Sequence, residues 1–274
     1  MDIDASSFNK SVNVDVTVQG DLYRILSAIN KRIEEKKIIF SKNKIKQWWI
    51  QINKWRSRNC LKYKNSKEII KPQFALERLN KLTEKLNPFI TTEVGQHQMW
   101  AAQFLSFNKP KHWMTSGGLG TMGYGLPAAM GVQIAHPKEL VIDVAGEASI
   151  LMNIQEMSTI KQYKLPVKIF ILNNHYMGMV KQWQELLHGN RLSESYMESL
   201  PDFVKLAESF GASGIQVLKP NDLDEAINEM INIKGPVICD VVVDPNENCF
   251  PMIPSGSTHD QMLLGPNDKV DDEI

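Results

Sequence analysis

"VIDVAGEASILMN", residues 141–153, carries an apolar, largely β-branched run broken only by Asp143, then Gly146, a carboxylate at Glu147, and the onset of a helical pattern. A short apolar run closed by a glycine reads as a strand buried on both faces. Similar runs occur at 89–92, 167–172 and 237–243, and helical patterns lie at 74–86, 126–134, 149–163, 201–210 and 221–233. Strands alternating with helices in this way predict an α/β fold, a parallel sheet flanked by helices on both faces.

In an open parallel sheet, ligands bind beyond the carboxyl ends of the strands. Two predicted strands end in polar groups there, one at Glu147-Ala148-Ser149 and the other at Asn173-Asn174. One helix joins them, so they are neighbours or near neighbours, and Glu147 and Asn174 lie close together. A carboxylate and an amide carbonyl form a hard-oxygen pair of the kind Mg²⁺ accepts when phosphate and water complete an octahedron. The amides of Ala148 and Ser149 open the next helix, where free N–H groups favour phosphate. Gly-acid and Asn-Asn are equally compatible with plain strand-end turns. A second constellation, "TSGGLGTMGYGLPAAMG" at 115–131, places glycines at 117, 118, 120, 123 and 125. A turn needed only for chain reversal would leave Met122, a large apolar side chain inside it, without a role.

The rest of the chain narrows the class. With 43% hydrophobic residues it can fill a sizeable core, and 31 basic residues balance 31 acidic ones, which argues against a polyelectrolyte. The charge is uneven: fourteen Lys/Arg face three acids between Lys31 and Lys71. That stretch also carries Trp48, Trp49 and Trp55, and reads as a connecting segment whose tryptophans dock on the protein and whose lysines are solvated, not as a nucleic-acid surface. Cys60, Cys239 and Cys249 lack zinc spacing and suit a reducing compartment. No signal segment opens the chain and no apolar run has membrane length, so a cytoplasmic location with no nucleic-acid or membrane partner is expected.

Glu147 with Asn173-Asn174 is similar to the thiamine-diphosphate motif, which in that enzyme family reads Gly-Asp-Gly and, further on, Asn-Asn. The runs "GQHQMWAAQF" (95–104), "SGGLGTMGYGLPAAMG" (116–131), "MNIQEMSTIKQYKLPVKIFILNN" (152–174), "GMVKQWQ" (178–184) and "SYMESLPDFVKLAE" (195–208) resemble the large catalytic subunit of acetolactate (acetohydroxyacid) synthase. The resemblance implies thiamine diphosphate and Mg²⁺ as cofactors, with FAD held mostly outside these residues. It implies metal ligation by Glu147, Asn174 and the Tyr176 carbonyl, and diphosphate contacts from Gln96 and His97. Gly117 and Gly120 would line the cofactor and Met122 would wedge it into its bent conformer. Ala148, Ser149, Met177, Gly178 and Met179 would complete the cofactor walls, and Met179 and Trp183 would sit over the substrate. The reaction implied is decarboxylation of pyruvate and carboligation to pyruvate or 2-oxobutanoate, in valine, leucine and isoleucine biosynthesis. Other thiamine-dependent 2-oxo-acid carboligases or decarboxylases, and a non-catalytic fragment that binds cofactor or a partner subunit, stay open.

Two departures from the family follow. Its members are longer, and the glutamate that activates the pyrimidine lies in their N-terminal domain, so no catalytic residue is assigned in this chain. Residues 1–35 read as a remnant of the middle domain, 36–72 as a basic linker, 73–266 as the cofactor domain and 267–274 as an acidic tail. A homodimer of these residues would still lack that glutamate, so they are expected not to turn over without a separately encoded N-terminal half; a homodimer or such a split-half partner is the expected assembly. A small regulatory subunit is a further expected partner. The second departure is Glu147 where the family has Asp. The extra methylene pushes the carboxylate outward by about 1.5 Å, while Mg²⁺ holds ligands near about 2.1 Å, so weaker metal binding is expected.

Overall fold

The computed structural model describes residues 1–254 and 256–266, so the expected acidic tail at 267–274 lies outside the described residues. The chain divides into two compact units, Met1–Asn59 and the residues from Cys60 onward.

In the first unit a parallel bridge links Asp2 and Gln19. Helix α1 (Leu22–Glu35) starts where the Asp21 carboxylate accepts from the Arg24 amide, and α2 (Lys42–Arg56) where Ser41 accepts from Lys44. Neither helix buries a residue. Trp48, Trp49 and Trp55 each keep about half of their surface exposed. Trp48 and Trp55 meet edge to face at 5.4 Å between centroids, and Arg56 lies over Trp49 at 5.5 Å. Indole rings can shed part of their surface on each other when no core is at hand.

The second unit is the α/β domain. Its elements are α3 (Pro72–Thr83), β1 (Phe89–Thr92), α4 (Gln96–Phe104), β2 (Trp113–Met114), α5 (Gly125–Ala135) and β3 (Val141–Gly146), followed by α6 (Glu147–Ile150) and α7 (Glu156–Gln162). Then come β4 (Lys168–Asn173), α8 (Gly178–Leu187), α9 (Phe203–Ser209), β5 (Ser213–Val217), α10 (Leu223–Asn232) and β6 (Val237–Val242). The six strands pair in parallel in the order β2-β1-β3-β4-β6-β5.

Alternation along the strands feeds two cores. Ile142, Val144, Phe170, Leu172, Cys239 and Val241 point to one face, against Leu76 and Leu79 of α3, Trp100 of α4 and Ile227 of α10. Val141, Ala145, Ile169, Ile171 and Ile238 point to the other, against Leu126 of α5, Met157 and Ile160 of α7 and Phe203 of α9. Each such side chain contributes roughly 1.5–3 kcal/mol by leaving water, which is why these runs read as apolar on nearly every position.

Two expectations shift. The helix expected over 149–163 is broken into α6, a 3₁₀ turn at Leu151–Asn153, and α7. The break falls where the Asn153 amide is drawn to the Gly123 carbonyl at 2.6 Å. Strand β5 was not legible in the sequence because it is an edge strand, half-exposed over most of its length. Its Gly214 has a structural reason: a Cβ there would lie 2.6 Å from the Val204 Cα of α9. The chain leaves β1 for β2 on one side and β3 for β4 on the other, so the order reverses between β1 and β3. That switch point, with the tip of β4, is where a doubly wound sheet opens a crevice.

Candidate functional site

A pocket open to solvent on one side, with about 420 Å³ of empty space that includes part of that solvent, lies beyond these tips. Gln96 and His97 reach it from the start of α4, Met122 from the glycine loop, and Glu147, Ala148 and Ser149 from the end of β3. Asn174, Tyr176, Met177, Gly178 and Met179 reach it from the segment after β4. Gly117, Gly120 and Trp183 are not in its walls: the two glycines are exposed in their loop and Trp183 is 48% exposed on α8.

β3 and β4 are hydrogen-bonded neighbours with Gly146 opposite Leu172, which brings Glu147 and Asn174 into one wall. Glu147 is 1% exposed, and its Oε1 has no hydrogen-bond partner among the described residues. Burial pushes its carboxyl up to about 8, against the main-chain amides of Glu147, Tyr176 and Asn174, which lower it, while Asp240 raises it further. A buried oxygen without a donor costs stability unless a ligand completes it.

Asn174 is held at both ends of its amide. Its Oδ1 accepts from the Tyr176 N–H and its Nδ2 donates to Gln96 Oε1, each at 3.1 Å. The next residues are stitched to a second segment: Met177 N–H donates to the Ser195 carbonyl at 2.8 Å and Met197 N–H to the His175 carbonyl at 2.9 Å. Gly178 is needed here, because a Cβ would collide with Gln96 Oε1 and lie 2.9 Å from Asn174 Nδ2.

His97 is buried, and desolvation pushes its imidazole down to about 3, so it is neutral at physiological pH. Its Nε2 lies 3.5 Å from the Ser149 hydroxyl, which donates to the Gly146 carbonyl at 3.1 Å.

The sequence reading missed residues that hold this wall in place. Glu93, at the tip of β1, is 0% exposed and accepts from the Gly123 N–H at 2.6 Å and the Leu126 N–H at 3.0 Å. It therefore anchors the loop that carries Met122. Its signal was available: an acid follows the apolar run 89–92 just as Glu147 follows 141–146. Gln182, fully buried on α8, had no such signal.

Could these residues hold a metal? Among the described residues no group of three His, Cys, Asp or Glu is placed to do so. The donor set is instead one orphan carboxylate oxygen beside amide and main-chain oxygens, which fits a hard cation such as Mg²⁺ and not zinc.

Comparison with known proteins identifies the domain. The family model "Thiamine pyrophosphate enzyme, C-terminal TPP binding domain" matches residues 93–241. Acetolactate synthase isozyme 3 large subunit from Escherichia coli K12 is 46% identical over 273 residues, 98% of this chain and 47% of that protein. The acetolactate synthase large subunit of Haemophilus influenzae is 43% identical over 265 residues, 96% of this chain and 46% of that protein. The one from Buchnera aphidicola of Acyrthosiphon pisum is 45% identical over 267 residues, again 96% and 46%. The chain thus spans just under half the length of each of these relatives. With the cavity at the switch point, the matched span and these likenesses taken together, the chain belongs to the thiamine pyrophosphate enzyme family, through its C-terminal TPP-binding domain.

Proposed function

We propose that this chain is the cofactor-binding half of an acetolactate synthase large subunit, acting on pyruvate with pyruvate or 2-oxobutanoate as acceptor. The observation that carries the reading is the unpartnered, buried Glu147 Oε1 in the same cavity wall as Asn174. Glu147, Asn174 and the Tyr176 carbonyl would hold Mg²⁺, and Gln96, His97, Ala148 and Ser149 would face the diphosphate. Gly117, Gly120, Met122, Met177, Gly178 and Met179 are assigned to the rings, and Met179 and Trp183 to the substrate. Bound thiamine diphosphate would supply the electron sink that lets a 2-oxo acid lose CO₂.

The chain's own residues contribute placement and a dry, neutral surround. Met122 holds an apolar surface against the cavity, fixed by the Glu93 and Asn153 bonds to Gly123. Neutral His97 offers a hydrogen-bonding ring without adding charge beside the cation. FAD, as in the family, is assigned mostly to residues outside this chain. We assign turnover to these residues together with an N-terminal half, in a homodimer or with a separate polypeptide, and regulation to a small subunit. Among the described residues no helix is long and apolar enough to cross a membrane; a cytoplasmic location is part of the proposal.

Isothermal titration of Mg²⁺ with thiamine diphosphate into the 274-residue chain tests the assignment. A saturable event is expected, and Glu147→Gln is expected to abolish it. An intact, folded chain that binds neither would overturn the reading.

A further inference from the structure

Behind the cavity, three side-chain amides form a relay whose direction is set by main-chain atoms. Gln182 Oε1 accepts from the Cys249 N–H at 2.8 Å, and its Nε2 donates to the Cys249 carbonyl at 3.0 Å. A main-chain N–H only donates and a carbonyl only accepts, so Gln182 has one orientation. The same Oε1 accepts from Gln96 Nε2 at 2.8 Å. Two longer acceptors face that nitrogen, the Glu247 carbonyl at 3.3 Å and Asn248 Oδ1 at 3.4 Å. A reversed Gln96 would set oxygen against three oxygens. Gln96 Oε1 therefore faces Asn174 Nδ2 at 3.1 Å, and the amide nitrogen of Asn174 is occupied.

We propose that Gln182 is a positioning residue: acting through Gln96, it fixes the orientation in which Asn174 offers an oxygen, not an NH₂ group, to a cation shared with Glu147. This rests on the reading of Glu147 and Asn174 as metal ligands. The Tyr176 N–H, at 3.1 Å from Asn174 Oδ1, favours the same orientation. Left with that one bond alone, Asn174 would turn its NH₂ toward a positive ion for a larger part of the time, and apparent affinity would fall by that fraction. Gln182 is not in the cavity wall. It reaches Asn174 through two hydrogen bonds, as groups that orient metal ligands do.

The test is a Mg²⁺ titration of protein saturated with thiamine diphosphate, with a urea unfolding curve measured in parallel. Gln182→Met keeps the bulk and removes both amide atoms, and is expected to weaken Mg²⁺ binding about tenfold or more. Gln182→Glu keeps an acceptor for Gln96 but sets an oxygen against the Cys249 carbonyl. It should lower stability while Mg²⁺ affinity stays near the wild-type value. That split is the signature of orientation, since a merely structural role makes affinity track stability in both variants. Wild-type affinity in Gln182→Met, affinity tracking stability in both variants, or loss of the fold in both, overturns the relay. A wild-type chain that binds no Mg²⁺ overturns the metal reading itself and the relay with it.

Discussion

Glu93 and Glu147 follow adjacent strands, β1 and β3, paired with Thr92 opposite Val144, and both are buried. Burial raises the pKa of each. Their surroundings differ. Glu93 is met by two main-chain N–H groups of the glycine loop, whereas Glu147 keeps an oxygen with no partner among the described residues. The same residue type just beyond two adjacent strands of one sheet is thus a strut in one place and an open valence in the other. A buried carboxylate becomes informative about ligands only after its donors are counted.

Three substitutions sharpen that contrast. The largest effect is expected from Glu93→Ala, which strips two buried amides of their acceptor and should cost about 3 kcal/mol of stability, read from urea unfolding. A loss no larger than that of an exposed site would mean the glycine loop does not depend on its anchor. Glu147→Asp comes next. If the longer side chain weakens the site, Asp should tighten Mg²⁺–thiamine diphosphate about tenfold, or about 1.4 kcal/mol, by calorimetry. Equal affinities would remove the idea that the glutamate is a handicap. The smallest effect is expected from Glu147→Gln without metal. Its unpartnered oxygen has no bond to lose, so stability should stay within about 0.5 kcal/mol of wild type. A drop of the size expected for Glu93→Ala would make both glutamates struts and erase the difference.

The sheet's centre was legible because β3, β4 and β6 are covered on both faces, so nearly every position is apolar. Its edges were not. β2 is two residues long, and β5 alternates too weakly around Gly214 and the exposed Gln216 to show a period. At the site, Glu147 and Asn174 could be paired because one crossover separates their strands. Gln182 could not be found that way, since its partner is the main chain of Cys249, 67 residues further on. In α2 the three tryptophans look like core residues, and nothing in the sequence says what receives them.

The stitching of 175–177 to 195–197 makes the segment after β4 a backbone truss. Met177 and Met179 hang from it while Asn174 is tied at its base. Side chains along that truss can be exchanged to reshape the chamber while Asn174 beneath it keeps its place.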